Sequence, residues 1–284
     1  LDLNNGTLRV FFTETIDSTP TSLVTPSLFE LINQAGNVTT RTSNLALSAS
    51  TVIPFDGISV TLVLSELERV RAIERSNTPG GDGTQLNLTT LAGAVHDIGT
   101  NPSLSAINSV FIEETADTTP PRIMSATLDL GTKEMIITCS EYIDSTPSSL
   151  VNLSRVHITN DTRQRRDDIH YTEYPEEQLP YLVGEPFANV SLNGATVIAS
   201  DGYNVTLQLT ETMRVGALFL SGVPTKEQGD GYTAGELIIP PRAVVDIGQN
   251  RQTQQFVIHL LEFPDRVKPT LIRGIVDYND GKLD

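Results

Sequence analysis

The chain of 284 residues has one cysteine, no tryptophan, three methionines and four histidines, and aromatic residues make up only 6% of it. With Cys139 alone, no disulfide can close within the segment and no zinc site can be built on several thiolates. His96, His157, His170 and His259 stand far apart, without HxH or HExxH spacing. The sequence contains no GxGxxG opening a helix, no GxxxxGK[ST] and no GxSxG, so it is expected not to be an enzyme. No run approaches the roughly 18 consecutive apolar residues that span a bilayer, and no membrane insertion is expected in this segment. Positive charge is also short: 19 Lys and Arg face 35 Asp and Glu, for a net charge of −16. Nucleic acid and anionic membrane would both repel such a surface, so neither is an expected partner.

What the sequence does have is internal repetition. Residues 1–24 align without gaps on 128–151, with 12 of 24 positions identical, among them Glu14/Glu141 and Asp17/Asp144. Residues 56–72 align on 201–217 with ten identities in 17, and 94–101 on 243–250 with six in eight. The linker at 117–123 is echoed at 265–271, and 276–284 restarts the opening pattern. Three blocks in one order define a tandem array. Its expected division is a first copy at 1–116 that lacks its leading linker, a second at 117–264, and the start of a third at 265–284. The offset grows from 127 in the first block to 145 in the second, placing an insertion of 18 residues within 152–200. The proline and charge around 163–186 read as a surface excursion. Both ends fall inside a repeat, so the segment reads as a window on a longer chain.

Each copy reads as strands. Leu8, Val10 and Phe12 alternate with Arg9 and Phe11, and Met135, Ile137 and Cys139 repeat that phase, which makes Cys139 a small core residue. Ile58, Val60, Leu62 and Leu64 alternate similarly, as do Tyr203, Val205, Leu207 and Leu209. With turn signals at Asn5-Gly6 and Asp56-Gly57, the pattern predicts an all-β chain built from sandwiches of about seven strands. One short helix interrupts each copy. Ser65 to Glu68 has capping-box form ahead of Val70 and Ile73, and Thr210 begins the equivalent turn before Met213. These helices are expected to bridge two sheets. Pro240-Pro241 predicts a bulge or an edge.

The order LDL, SExID, DGxxVTLxLTE, AVxDIGxN and DxxxP resembles the tandem bacterial-type immunoglobulin-like repeats of large extracellular proteins, whose architecture cadherin-like and fibronectin-like arrays share. The resemblance covers essentially the whole chain and implies tandem immunoglobulin-like β-sandwiches, a short helical turn in each, and a place outside the cell. It implies a non-enzymatic structural repeat of a long filament, stalk or surface layer, whose partners are neighbouring copies of the same or a related chain. The long insertion and the many Asn-X-Ser/Thr sequons depart from the bacterial examples and favour a eukaryotic surface fibre such as a protist flagellar hair. The alternative is a calcium-dependent adhesin that presents a patch to a glycan or another cell. For that reading the insertion offers Tyr171, Tyr174 and Tyr181.

In such a sandwich SExID and DIGxN lie at the pole that receives the linker. Glu141, Asp144, Asp246 and Asn250 are therefore expected to approach Asp117, and the first copy offers Glu14, Asp17, Asp97 and Asn101. Calcium takes six to eight oxygen ligands, and these carboxylates suit it. The plainer reading is that Asp144 and Asp246 cap turns and that Glu141 is a solvated strand end. Seven N-glycosylation sequons, at Asn5, Asn37, Asn87, Asn152, Asn160, Asn189 and Asn204, exceed what the composition produces by chance. Asn87 and Asn204 are expected on the outward phase of their strands. Arg163 to Arg166 has the R-x-R-R form of a processing site, with a solvated loop as the plainer reading. His157 reads as a surface or edge residue of a strand. The proline-bearing linker at 117–121 limits bending between copies.

Overall fold

A computed structural model describes residues 1–33, 44–160, 189–223, 234–271, 276–277 and 282–283. Asn37, the Arg163 motif and the three insertion tyrosines lie outside these residues. The chain is mostly β-sheet. The first copy holds β1 (Thr7–Asp17), β2 (Phe29–Asn33), β3 (Leu45–Ala46), β4 (Thr51–Ile53), β5 (Gly57–Val63), α1 (Glu66–Ile73), β6 (Leu86–Thr90), β7 (His96–Asp97) and β8 (Ala106–Phe111). They form two four-stranded sheets, β4-β5-β1-β7 and β3-β2-β6-β8. One core takes Leu8, Val10 and Leu62 from the first sheet and Phe29, Leu31 and Leu86 from the second.

The second copy holds β9 (Ile123–Asp129), β10 (Glu134–Ile143), β11 (His157–Thr159), β12 (Asn189–Ser191), β13 (Thr196–Ile198), β14 (Gly202–Gln208), α2 (Glu211–Leu220), β15 (Glu236–Ile239) and β16 (Phe256–Phe263). Here eight strands join into one sheet, β12-β11-β15-β16-β9-β10-β14-β13. The difference lies in β16, which pairs antiparallel with β15 and parallel with β9 and so ties two halves together. In the first copy the counterpart of that parallel pairing is a single bridge, Asp2 to Thr115. A second core gathers Ile137, Cys139, Val205, Leu207 and Leu237. A last pair, β17 (Val276–Asp277) and β18 (Lys282–Leu283), is antiparallel.

The local rules explain these elements. Leu8 and Val10 are buried while Phe11 faces out, and Met135, Ile137 and Cys139 are buried in the same phase. Ser65 accepts from the Glu68 amide while the Glu68 carboxylate accepts from the Ser65 amide, closing the capping box of α1. Thr210 caps α2 through the Met213 amide at 3.2 Å. α1 carries the chain from β5 in one sheet to β6 in the other, burying Val70 and Ile73 on the way. Turn chemistry repeats as well. Asp56 accepts from the Ser18 amide and Asp201 from the Ser145 amide, both at 2.9 Å, beside fully enclosed serines.

Three local expectations fail. Ile58 and Tyr203, in phase with the core residues, are exposed, because they stand at the start of their strands beyond the point where the core ends at Val60 and Val205. Asn87, expected outward, is 3% exposed, since β6 is central and Asn87 is flanked across the sheet by Ile32 and Phe111. Pro240 marks neither bulge nor edge; β15 pairs on both sides and stops at Ile239, the residue before it.

Burial pushes the Cys139 thiol up to about 12. Cys139 should therefore resist Ellman's reagent at pH 8 in the folded protein and react fully in denaturant. Fast modification under native conditions would contradict its place in the second core.

Candidate functional site

The two cores meet at one joint, and an arginine stands at its centre. Arg69 lies on α1, one turn after Glu66, so the pair shares a helix face. Its Nε and Nη2 donate to the Glu66 carboxylate at 2.6 and 2.7 Å. Nη1 donates to Asp117 Oδ2 at 2.6 Å and to the Leu3 carbonyl at 2.9 Å, and Nη2 reaches Glu141 Oε2 at 3.2 Å. One buried guanidinium thus ties together the first copy's helix, the turn ahead of its first strand, the linker, and a strand of the second copy. Burial alone would lower the Arg69 pKa, but its bonds to Glu66 and Asp117 outweigh that and hold it above its ordinary value.

The loop at 246–250 completes the joint. Ile247, 6% exposed, is counted in the core of the first copy although it belongs to the second. A Cβ at Gly80 would stand 1.9 Å from the Ile247 carbonyl oxygen, and Gly80 has φ of +85°. Glycine is therefore required there twice over, for conformation and for close approach. Asn250 donates from Nδ2 to the Asp117 carbonyl at 3.2 Å. Beside the joint, Tyr142 packs against the first core and meets Tyr203 edge to face at 4.7 Å.

Asp117, Glu141 and Asp246 can each place one carboxylate oxygen within 4.8 Å of the others. Asp246 Oδ1 accepts from the Asn250 amide at 2.8 Å, whereas its buried Oδ2 has no hydrogen-bond partner. With Glu66, four carboxylates crowd one guanidinium. Burial first, then neighbouring Asp117, raises Glu141 to about 7; burial raises Asp246 to about 6 against the opposing Asn250 bonds. The site has too little positive charge for its carboxylates. That is what a cation would correct.

The remaining sequence candidates fall elsewhere. Asp144 accepts from the Thr146 amide at 3.3 Å and Asp17 from the Thr19 amide at 3.2 Å, the turn-capping role. Neither joins the carboxylate group: Asp144 lies past the end of β10 at Ile143, and Asp17 ends β1 in the first copy. Asn250 bridges the loop to the linker. Glu14 and Asp97 stand at the first copy's own pole, where Asp97 is held below the usual range by Asn101. That pole repeats the joint's loop closely. Ile98 donates to the Thr15 carbonyl at 3.3 Å as Ile247 does to Tyr142, and Thr100 has φ of +65° where Gln249 has +67°. Yet Ile98 is 56% exposed, and Asn101 Nδ2 folds back onto Asp97 at 2.8 Å. At the far pole Arg214 repeats Arg69, bonding Glu211, Asp265 at 2.7 Å and the Leu130 carbonyl at 3.5 Å.

Among the sequons, Asn5, Asn152, Asn189 and Asn204 are exposed. Asn160 is buried and donates to the Leu220 carbonyl at 2.9 Å, and Asn87 is buried as well, so neither side chain is open to a glycan in this fold. Sequence reasoning missed Arg69 and Arg214, although both were visible as an identity in the second aligned block. No known family model and no curated protein matches this chain.

Gly80→Ala should weaken the joint and lower the melting temperature of the full chain, while Gly93→Ala, whose added Cβ meets nothing within 4 Å, serves as the control for positive φ. Equal melting for both variants would contradict the close approach of Ile247. The pH dependence has a definite sign. Glu141 and Asp246 hold protons more tightly folded than unfolded, so their contribution favours folding at low pH. It is lost as pH rises through about 6 and 7. Without divalent ions, melting should fall between pH 5.5 and pH 8, and Glu141→Gln should flatten that fall; a rise over this range in the parent, unchanged by the substitution, would contradict the site.

Proposed function

We propose that residues 1–116 and 117–264 are tandem immunoglobulin-like units of a non-enzymatic structural repeat in an extracellular filament, stalk or surface layer, such as a protist flagellar hair. One observation carries the reading: Ile247 of the second copy lies in the core of the first, under a guanidinium that binds both copies and the linker. A joint of this kind transmits length and direction and turns nothing over. Supporting it, the same Arg–Glu–Asp clasp recurs around Arg214, and the same DIGxN loop recurs around Ile98. Exposed sequons at Asn5, Asn152, Asn189 and Asn204 suit a secreted glycoprotein whose partners are neighbouring copies.

Calcium belongs to the same proposal. Asp117, Glu141 and Asp246 would hold the ion, and Asp246 Oδ2, buried without a partner, is the observation that favours it. Bound there, a divalent ion would neutralise carboxylates that Arg69 leaves uncompensated and so stiffen the joint.

Small-angle scattering of the full chain should give one extended, narrow distance distribution, and Ile247→Asp should broaden it by loosening the joint. An equally broad distribution in the parent would overturn the fixed joint. Calcium should raise the melting temperature by several degrees over chelator, and Asp246→Asn should abolish that rise. Equal melting of the parent in calcium and chelator would remove the ion and leave the joint standing.

A further inference from the structure

Asn152 differs from the other sequons in how its amide is held. It follows the short 3-10 turn Ser148–Leu150, and its Oδ1 accepts from the Ser154 amide at 3.1 Å and from the Ser154 hydroxyl at 2.7 Å. The third residue of the sequon thus pins the first by its oxygen, as in an Asx turn. Asn152 is exposed, and its Nδ2 has no partner among the described residues. Elsewhere the nitrogen is engaged or the surroundings differ. Asn5 Nδ2 donates to Asp2 Oδ2 at 2.8 Å, Asn160 Nδ2 donates to the Leu220 carbonyl at 2.9 Å, and Asn87 is buried. Asn189 opens the edge strand β12, and Asn204 stands opposite Thr138 in the sheet, accepting from its hydroxyl at 3.0 Å.

Asn152 also lies at the rim of a groove of about 570 Å³. Half-buried Leu150, Ala195 and Val197 supply its apolar side, and exposed Ser148, Asn193 and Arg251 its polar side. Ala195 and Val197 pack against the second core, which fixes the groove to a rigid base. The first copy has the same backbone here. Thr25 donates to the Ala94 carbonyl at 2.9 Å as Asn152 does to that of Ala243 at 2.8 Å, and the bridge of His96 to Pro102 matches that of Val245 to Arg251. Yet its residues are Thr25-Pro26-Ser27 and Pro102, so sequon and arginine enter together in the second copy. Two departures on one shared backbone meet at one groove.

We propose that Asn152 carries an N-linked glycan whose first acetamido sugars lie in this groove. The donor is a lipid diphosphate-linked oligosaccharide. Nδ2 bonds to the sugar C1, the C1–O bond to the diphosphate breaks, and the amide gives up one proton as the diphosphate leaves. The fold accommodates the product, because Oδ1 keeps both bonds to Ser154 and Nδ2 surrenders none. A sugar ring has an apolar C–H face and a rim of hydroxyl and acetamido groups. The face fits Leu150, Ala195 and Val197; the rim fits Ser148, Asn193 and Arg251. The groove falls within the range of about 300–1,000 Å³ that holds small ligands. Covalent attachment makes the docking intramolecular, so individually weak contacts suffice. The inference rests on the secreted-glycoprotein reading and deepens it, separating one seated glycan from those that only project at Asn189 and Asn204.

The test compares the full chain secreted from a eukaryotic host with the same chain made without glycans in bacteria. Peptide mapping should find Asn152 occupied. Under native conditions a peptide-N-glycosidase should release its glycan about tenfold more slowly than the one at Asn204, and the difference should vanish in denaturant. Glycosylation should raise the melting temperature by several degrees. Arg251→Ala with Asn193→Ala should remove most of that rise, whereas Asn204→Gln should leave it. An empty Asn152 beside a filled Asn204, equal release from both in the native protein, or a rise untouched by the groove substitutions would overturn the seat alone. A secreted chain with no glycan at any sequon would overturn the glycoprotein reading as well, and the scattering test of the joint is independent of both.

Discussion

The arrangement of the two copies depends on one buried guanidinium. Taking a charge out of water costs several kcal/mol, and Arg69 recovers this only because four groups from four parts of the chain close on it. That requirement makes the joint directional. Glu66 lies within the same helix and could satisfy Arg69 in an isolated unit, but Asp117 and Glu141 are reached only when linker and second copy take one orientation. An exposed ion pair would be worth about 0–1 kcal/mol and would hold no such geometry. Apolar contact adds area without direction, through Ile247 and Tyr142.

The comparison of the two DIGxN loops shows what the joint changes and what it finds ready. The Asp97 and Asp246 loops share backbone bonds and a left-handed residue, so the loop is formed before any neighbour covers it. What differs is the side chains. Asn101 turns back to Asp97, whereas Asn250 reaches the Asp117 carbonyl, and the isoleucine passes from exposed to buried. Preformed loops lose little conformational entropy on docking.

Much of this was legible in the residues. Period-two alternation placed Val10, Ile137 and Cys139 in their cores and the Ser65 and Thr210 caps fixed both helix starts; of the acidic residues expected around Asp117, Glu141 and Asp246 come within reach of it and Asp144 does not. Other features were hidden for physical reasons. A helix-borne Glu–Arg pair at i,i+3 looks like ordinary surface support, and only the path of the linker reveals Arg69 as buried. Alternation does not report where a core ends, so Ile58 and Tyr203 read as interior. Nor does it report which strand is central, so Asn87 read as outward. The demand on Gly80 comes from a carbonyl 167 positions further along the chain, beyond any local rule.

The most direct test of the central claim is a double-mutant cycle on Arg69 and Asp117, measured by denaturant unfolding of the full chain at pH 7. Arg69→Ala and Asp117→Asn should each cost about 3 kcal/mol, as expected for stranding a buried charge, with the double variant far less destabilised than their sum. Additive losses, leaving a coupling near zero, would mean that the guanidinium does not hold the joint and that apolar contact alone sets the orientation of the two copies.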